Sequence, residues 1–250
     1  MSQAKAQVTG DERRNGANRI WTYRHSGPVR ATHWINVVCL TVLLMSGLQI
    51  FNATPALYWG QQSNFSAPLW ELSFPSWAIL PSYQDLATGR RWHFFFAWLF
   101  VVNGLIYLIY SLYSGHVRRD LVPTSTELAD IGTTIKEHAL LRFPHGEHAR
   151  RYNVLQQLTY LGVVFVLLPV TVFAGLTMSP GMDAVAPWLL DVFGGRQSAR
   201  TIHFIGAFTI LAFVVVHVLM VLVSGFWNNL RSMITGRYVI EKEGKSHDRS

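Results

Sequence analysis

Four long apolar runs, separated by segments that carry the charges, limit what this chain can fold into more than any other feature. They cover residues 32–51, 94–113, 155–178 and 202–226. Each run provides the roughly 20 residues that a helix needs to cross a hydrocarbon core of about 30 Å. Only 14% of the chain is charged, against about a quarter in soluble domains. The sequence therefore predicts an all-α integral membrane protein, a four-helix transmembrane bundle.

The positions of the basic residues predict the orientation. The N-terminal segment, the loop 114–152 and the C-terminal tail carry 17 of the 21 Lys and Arg residues. Because cytoplasmic loops are enriched in Lys and Arg, both termini are expected in the cytoplasm. The basic residues form no stripe with interleaved aromatics, so no nucleic-acid partner is predicted.

One membrane domain, residues 21–239, accounts for most of the chain. Residues 1–20 lack the apolar core of a cleavable signal peptide and are expected to be a disordered cytoplasmic arm. Residues 240–250 are expected to be a disordered tail. Cys39 is the only cysteine, which excludes covalent haem attachment through a Cys-x-x-Cys-His motif. Within the domain, helices are predicted at about 31–51, 92–113, 154–178 and 201–226.

The outer loop between the first two helices, about residues 52–91, is long and rich in Trp, Pro and Phe. Trp and Tyr prefer the membrane–water interface, so the loop can lie in that interface. It can equally be a docking surface for a partner outside the membrane. In either case the protein is expected to contact membrane lipid.

Four histidines fall into two pairs by depth. His203 and His217 lie on one predicted helix, and 14 residues correspond to about 21 Å and nearly whole turns, so both are on one face. His93 begins the second helix on the outer side and matches His203 in depth. His33 begins the first helix on the inner side and matches His217.

Several roles for these histidines remain to be compared. A single histidine near an interface is more often hydrogen-bonded than a ligand, but an ionisable group in hydrocarbon is costly unless it has a partner. Structural zinc sites usually have four ligands, whereas two imidazoles per level suit haem iron. A transporter with a proton or metal relay is a further alternative, but transporters typically show broken helices and internal repeats, and four short spans without repeats argue against it. Two non-covalent, bis-His haem b groups are predicted.

Around these residues the sequence resembles the bacterial cytochrome b561-like family. That family includes the cytochrome b subunits of Ni–Fe hydrogenases, formate dehydrogenase (gamma subunit) and thiosulfate reductase, and the first helix looks most similar to the thiosulfate reductase group. The resemblance covers about residues 23–239. It is carried by "RHSGPVRATHW", "RRWHF", the His203/His217 spacing and "WNNLRSMITGRY".

The resemblance implies the ligand pairs and a quinone site. His33 and His217 would ligate the inner haem, and His93 and His203 the outer haem, in agreement with the depth argument. The family's Lys-Tyr-Asn-x-x-Gln pattern appears at residues 151–156 with Arg in its first position. It assigns quinone binding to Asn153 and Gln156, which could instead anchor the third helix at the interface.

Arginines stand beside the predicted ligands, at positions 30, 90, 91 and 200. Haem propionates are anionic and Arg offers a bidentate fork, so Arg30, Arg91 and Arg200 are candidate haem-binding residues. The alternative is that these arginines only mark the ends of the helices.

By its resemblance the chain is expected to transfer electrons between a peripheral periplasmic oxidoreductase, of molybdenum or hydrogenase type, and the quinone pool. It would act as a subunit of a quinone-linked oxidoreductase and carry no catalytic residues of its own. The alternative is a stand-alone cytochrome b561 that oxidises superoxide and reduces quinone. A homodimer is compatible with either function.

Overall fold

The computed structural model describes residues 19–81, 85–115, 117, 122–124, 132 and 154–241. Within these residues, four helices are long and apolar enough to cross a membrane. This confirms the predicted all-α membrane architecture. The spans are α1 (Gly27–Asn52), α2 (Leu86–Tyr113), a third span over Val154–Leu176, and α7 (Arg196–Val223).

Three of these helices begin four to six residues earlier than predicted, because their first turns are polar and are stabilised locally. The first turn of α1 contains Pro28, whose fixed φ suits a helix start. The carboxylate of Asp85 caps α2, accepting from the backbone N–H groups of Ala87 at 3.0 Å and Thr88 at 3.2 Å. The Thr88 hydroxyl and these N–H groups lower the pKa of Asp85.

The third span is not a continuous α-helix. It consists of α3 (Val154–Gly162), a π-helical segment (Val163–Leu167) and α4 (Leu168–Leu176). Pro169 has no N–H group to continue the regular hydrogen-bond series, which accounts for an irregularity at this point. Of the two α-helical halves, α4 is the one that packs closely against α7, while α1 packs against α2.

The first and last described strands pair at one end of the bundle, which we call the strand end. Strand β1 (Arg19–Tyr23) pairs antiparallel with β4 (Arg237–Glu241), which follows α8 (Phe226–Thr235). The strands include residues 19–20 and 240–241, the edges of the segments expected to be disordered. The rest of those segments, residues 1–18 and 242–250, lies outside the described residues.

The opposite end of the bundle, the loop end, is covered by the aromatic loop that follows α1. The carbonyl of Gly60 accepts from the N–H groups of Gln197 at 3.0 Å and Ser198 at 3.1 Å. These groups lie in the first turn of α7 and have no partner within their own helix. The loop is therefore attached to the start of α7. The loop contains β2 (Ala56–Leu57) and β3 (Trp70–Glu71). Two short helices, α5 (Pro180–Val185) and α6 (Trp188–Val192), precede α7.

Candidate functional site

Two of the predicted histidines form a pair near the strand end. His33 on α1 and His217 on α7 have ring centres 6.4 Å apart, with an angle of 53° between the ring planes. The ring of Phe213 stacks on His217 with centres 6.0 Å apart, and Trp34 meets His33 edge-on. Nδ1 of His33 is buried without a hydrogen-bond partner among the described residues.

The other two predicted histidines form a pair near the loop end. His93 on α2 and His203 on α7 have ring centres 6.1 Å apart, with an angle of 71° between the planes. Nδ1 of His203 lies 2.8 Å from the carbonyl oxygen of Thr171. A carbonyl only accepts, so Nδ1 carries the hydrogen and the lone pair of the neutral ring is on Nε2. Nδ1 of His93 lies 3.1 Å from Oγ of Ser46.

Small residues on the neighbouring helices admit these two rings. A Cβ atom at Gly175 would be 2.9 Å from Cε1 of His203, so only glycine fits there without a shift. A Cβ atom at Gly47 would be 3.3 Å from Cε1 of His93. At Gly206 an added Cβ would meet the Thr171 side chain, so this glycine allows α4 to approach α7. The loop-end pair is thus closely enclosed by α1 and α4.

One helix therefore contributes to both histidine pairs. His203 and His217 are separated by 14 residues of α7, or about 21 Å along the helix axis. Each level offers two imidazoles, and the described part of the chain contains no cluster of three or more His, Cys, Asp or Glu side chains that could hold a metal. The described residues therefore offer two imidazole ligands at each level.

Two of the predicted arginines bind backbone carbonyls. Arg30 donates from Nη1 to the carbonyl of Ile234 at 2.7 Å, near the end of α8. Arg200 donates to the carbonyls of Ala56, at 2.9 Å, and Thr54. Arg91 is exposed in the first turns of α2. Arg30 and Arg200 thus fasten α8 and the aromatic loop beside the histidine pairs.

The predicted quinone residues lie at the start of the third span. Asn153 falls outside the described residues, whereas Gln156 lies on α3. Tyr160, one turn further along, meets Phe213 edge-on with ring centres 6.3 Å apart. Because Phe213 stacks on His217, this part of α3 lies beside the strand-end pair.

The sequence predicts the histidines as candidate ligands but does not indicate the residues that hydrogen-bond or pack against their rings. Ser46 and Thr171 provide hydrogen-bond acceptors, and Gly175 provides space. Small residues inside apolar helices do signal close helix contacts. That signal identifies neither the neighbouring helix nor the side chain that enters the space.

The fold and these two intramembrane imidazole pairs define a class, the multi-pass membrane proteins that bind metal cofactors between their helices. The sequence matches the family described as prokaryotic cytochrome b561 over residues 24–236. The chain belongs to this family, a family of membrane cytochromes that carry b-type haem and function in electron transport.

Several relatives support the same assignment. A protein from Azospira oryzae named as the protein-methionine-sulfoxide reductase subunit YedZ1 is 34% identical over 199 residues, covering 79% of this chain and 89% of that protein. A protein named as a Ni/Fe-hydrogenase B-type cytochrome subunit, from Cupriavidus necator, is 27% identical, covering 79% of this chain and 77% of its own. One of the same name from Azotobacter vinelandii is 23% identical, covering 87% of both chains.

The spacing of the rings fits a haem iron. With metal–nitrogen bonds of about 2 Å and about 1.1 Å from nitrogen to ring centre, imidazoles on opposite sides of one metal have centres about 6 Å apart. The observed distances are 6.4 and 6.1 Å. Two ligands per level match a porphyrin-bound iron, which takes its other four nitrogens from the macrocycle.

Proposed function

We propose that the protein is a di-haem b-type cytochrome subunit that transfers electrons between a peripheral oxidoreductase and the membrane quinone pool. The observation that carries the proposal is that α7 supplies one histidine to each of two pairs with ring centres about 6 Å apart. His33 and His217 would be the axial ligands at the strand end, and His93 and His203 those at the loop end. When bound, each haem supplies reversible one-electron chemistry.

The protein's contribution is to hold two centres at different depths in an apolar surround. Transfer along α7 over about 21 Å carries charge across much of the bilayer. Each electron moved across the whole membrane is coupled to its potential by about 2.3 kcal/mol per 100 mV. Arg91 is exposed at the loop end and stays a candidate partner for a haem propionate. Arg30 and Arg200 are committed to backbone carbonyls.

Quinone exchange is proposed beside the strand-end pair. Gln156 lies on α3, one turn before Tyr160, which reaches His217 through Phe213. Amide side chains three residues apart in sequence, as Asn153 and Gln156 are, can hydrogen-bond the polar oxygens of a quinone head group. The adjacent aromatic rings provide an apolar surface for the ring of the quinone.

The peripheral partner is proposed to dock at the loop end. Relatives of this chain are named as subunits of a methionine-sulfoxide reductase and of hydrogenases, which favours a redox-enzyme partner. Its molybdenum or hydrogenase type is what the family resemblance implies. Large aromatic side chains are exposed on the loop: Trp59 (62%), Phe65 (80%), Trp70 (60%) and Trp77 (80%). Tryptophan is enriched in protein interfaces as well as in membrane interfaces.

The proposed orientation places the strand end in the cytoplasm and the loop end in the periplasm. The pairing of β1 with β4 brings residues 19 and 241 together, so β1 and β4 lie on the same side of the bundle. The excess of Lys and Arg in the N-terminal segment, the loop 114–152 and the tail favours the cytoplasm for that side. The stretch 53–85 then faces the periplasm of the bacterial inner membrane.

Sided membrane vesicles test this function. Haem reduced through the quinone pool should be oxidised by membrane-impermeant ferricyanide in right-side-out vesicles and far more slowly in inside-out vesicles. His203→Ala should abolish this oxidation while quinol still reduces the remaining haem, because the loop-end centre alone is lost. Gln156→Ala should slow reduction by quinol.

Thr159→Ala is the matched control for Gln156→Ala. Thr159 lies on the same helix, is exposed, and bonds only its own helix, at the Leu155 carbonyl. Its replacement should leave quinol-driven reduction unchanged. Equal ferricyanide oxidation from both sides would contradict the proposed orientation. Rapid reduction of the isolated protein by superoxide would favour the stand-alone superoxide:quinone oxidoreductase.

A further inference from the structure

The two histidine pairs differ in what their Nδ1 atoms contact. At the loop end, Nδ1 of His203 contacts the Thr171 carbonyl and Nδ1 of His93 contacts Ser46 Oγ, at 2.8 and 3.1 Å. At the strand end, Nδ1 of His33 is buried without a hydrogen-bond partner among the described residues. Among the described residues, each loop-end histidine thus has a polar partner at Nδ1 that His33 lacks.

The single hydrogen of the Ser46 hydroxyl determines which group donates in the hydrogen bond between Ser46 and His93. A serine hydroxyl has one hydrogen and two lone pairs. Oγ of Ser46 lies 2.6 Å from the carbonyl of Val42, which can only accept, so the hydroxyl hydrogen points there. Oγ therefore accepts from Nδ1–H of His93. Since the ring is then protonated on Nδ1, its lone pair is on Nε2, the atom available to a metal.

The burial of Ser46 strengthens its hydrogen bond with His93. Ser46 has 0% of its surface exposed, and a hydrogen bond in a low-dielectric interior is stronger than the same bond in water. A Cβ atom at Gly47 would lie 3.3 Å from Cε1 and 3.6 Å from Nδ1 of His93. The ring is thus held by a hydrogen bond on one side and by the α1 backbone beside it.

We propose that Ser46 is a positioning residue, which orients His93 and makes it a stronger electron donor to iron at the loop-end centre. This inference rests on the proposed haem ligation. Partners of this kind fix the tautomer of a ligating histidine and raise its basicity. A more basic axial ligand stabilises oxidised iron, so Ser46 lowers the reduction potential of the loop-end haem. Thr171 acts in the same way on His203, but through a backbone carbonyl that substitution cannot remove.

The test is a redox titration of purified Ser46→Ala in the full-length protein. The midpoint potential of one haem should rise while that of the other stays at its wild-type value. The same substitution in a His217→Ala background, which leaves only the loop-end centre, assigns the shifted haem. Loss of haem from that centre to apomyoglobin should be about 10-fold faster, in the range typical for removing such a partner.

Thr41→Ala is the matched control, because Thr41 lies on α1, bonds the Val37 carbonyl in the same way at 2.8 Å and is exposed. It should change neither potential. Ser46→Thr keeps the hydroxyl and should restore the wild-type potential and the low-temperature EPR signal of the oxidised loop-end haem. If Ser46→Ala fails to accumulate, Ser46→Cys, with a weaker acceptor, should give a smaller shift of the same sign.

Unchanged potentials in Ser46→Ala, or an equal shift of both haems, would overturn the role of Ser46 while leaving the haem ligation intact. A wild-type protein with no bound haem would instead remove the proposed function itself. The two failures are therefore distinguishable in the same preparation.

Discussion

At the scale of single residues, the sequence identifies the candidate metal-binding histidines better than the residues that contact their rings. His33, His93, His203 and His217 are conspicuous because ionisable residues are rare in apolar helices, and the structure pairs them as their depths indicated. The hydrogen-bond acceptors behind the rings were not predictable. Serine and threonine are common inside membrane helices, where they bond their own backbone, as Thr32 does here.

Gly175 provides the clearest residue-level prediction. In Gly175→Ala the new Cβ would lie 2.9 Å from Cε1 and 3.0 Å from Nδ1 of His203, so the ring must move away from the Thr171 carbonyl. Overpacking of this kind costs about 1–3 kcal/mol. We expect selective loss of the loop-end haem, measured as haem content and as the disappearance of one redox transition.

Gly162→Ala is the control for this substitution. Gly162 lies in the same membrane span, and a Cβ atom there would meet nothing within 4 Å. This variant should keep both haems. If Gly175→Ala also kept both haems at their wild-type potentials, the close contact between α4 and His203 would not be important for the site.

At the scale of elements, the sequence predicts where helices cross the membrane but not how they begin, break or pack. Apolar runs locate the spans because about 20 residues are needed to cross the core. The polar first turns of α1, α2 and α7 escape a hydropathy criterion. The π-helical segment Val163–Leu167 was also missed, because a proline predicts an irregularity without specifying its form. The attachment of the aromatic loop to α7 combines backbone bonds at Gly60 with side-chain bonds from Arg200 and Thr201, and such residues at a helix start do not indicate which loop they contact.

Asn103 connects two of the membrane helices. It is 3% exposed, and its amide nitrogen donates from α2 to the Thr32 carbonyl at 2.9 Å and to Asn36 Oδ1 at 2.7 Å on α1. Asn103→Ala removes both bonds, and polar contacts between membrane helices contribute about 0.6–2 kcal/mol. We expect a lower midpoint of thermal unfolding in detergent, measured by circular dichroism.

The neighbouring glycine gives a control at the same depth. A Cβ atom at Gly104 would meet nothing within 4 Å, and alanine favours helix over glycine. Gly104→Ala should therefore unfold at the wild-type temperature or above it. An Asn103→Ala protein as stable as the wild type would show that the contact between α1 and α2 does not depend on this residue.

At the scale of the whole molecule, two helix pairs are joined through their histidines. The close packing is α1 on α2 and α4 on α7, and the ring pairs connect α7 to α1 and to α2. The family could be predicted because its motifs are local in sequence, and the match over residues 24–236 confirms it. The relatives from Azospira oryzae and Cupriavidus necator are named for methionine-sulfoxide reductase and hydrogenase. Partner choice depends on surfaces that such motifs do not include.

Haem stoichiometry tests the central claim most directly. A pyridine haemochrome assay on purified protein should give two haem b per chain in the wild type and about one in His203→Ala and in His217→Ala. His25→Ala, which changes a histidine outside both pairs, should retain two. One haem in the wild type, or two in either α7 variant, would contradict a helix that serves two centres.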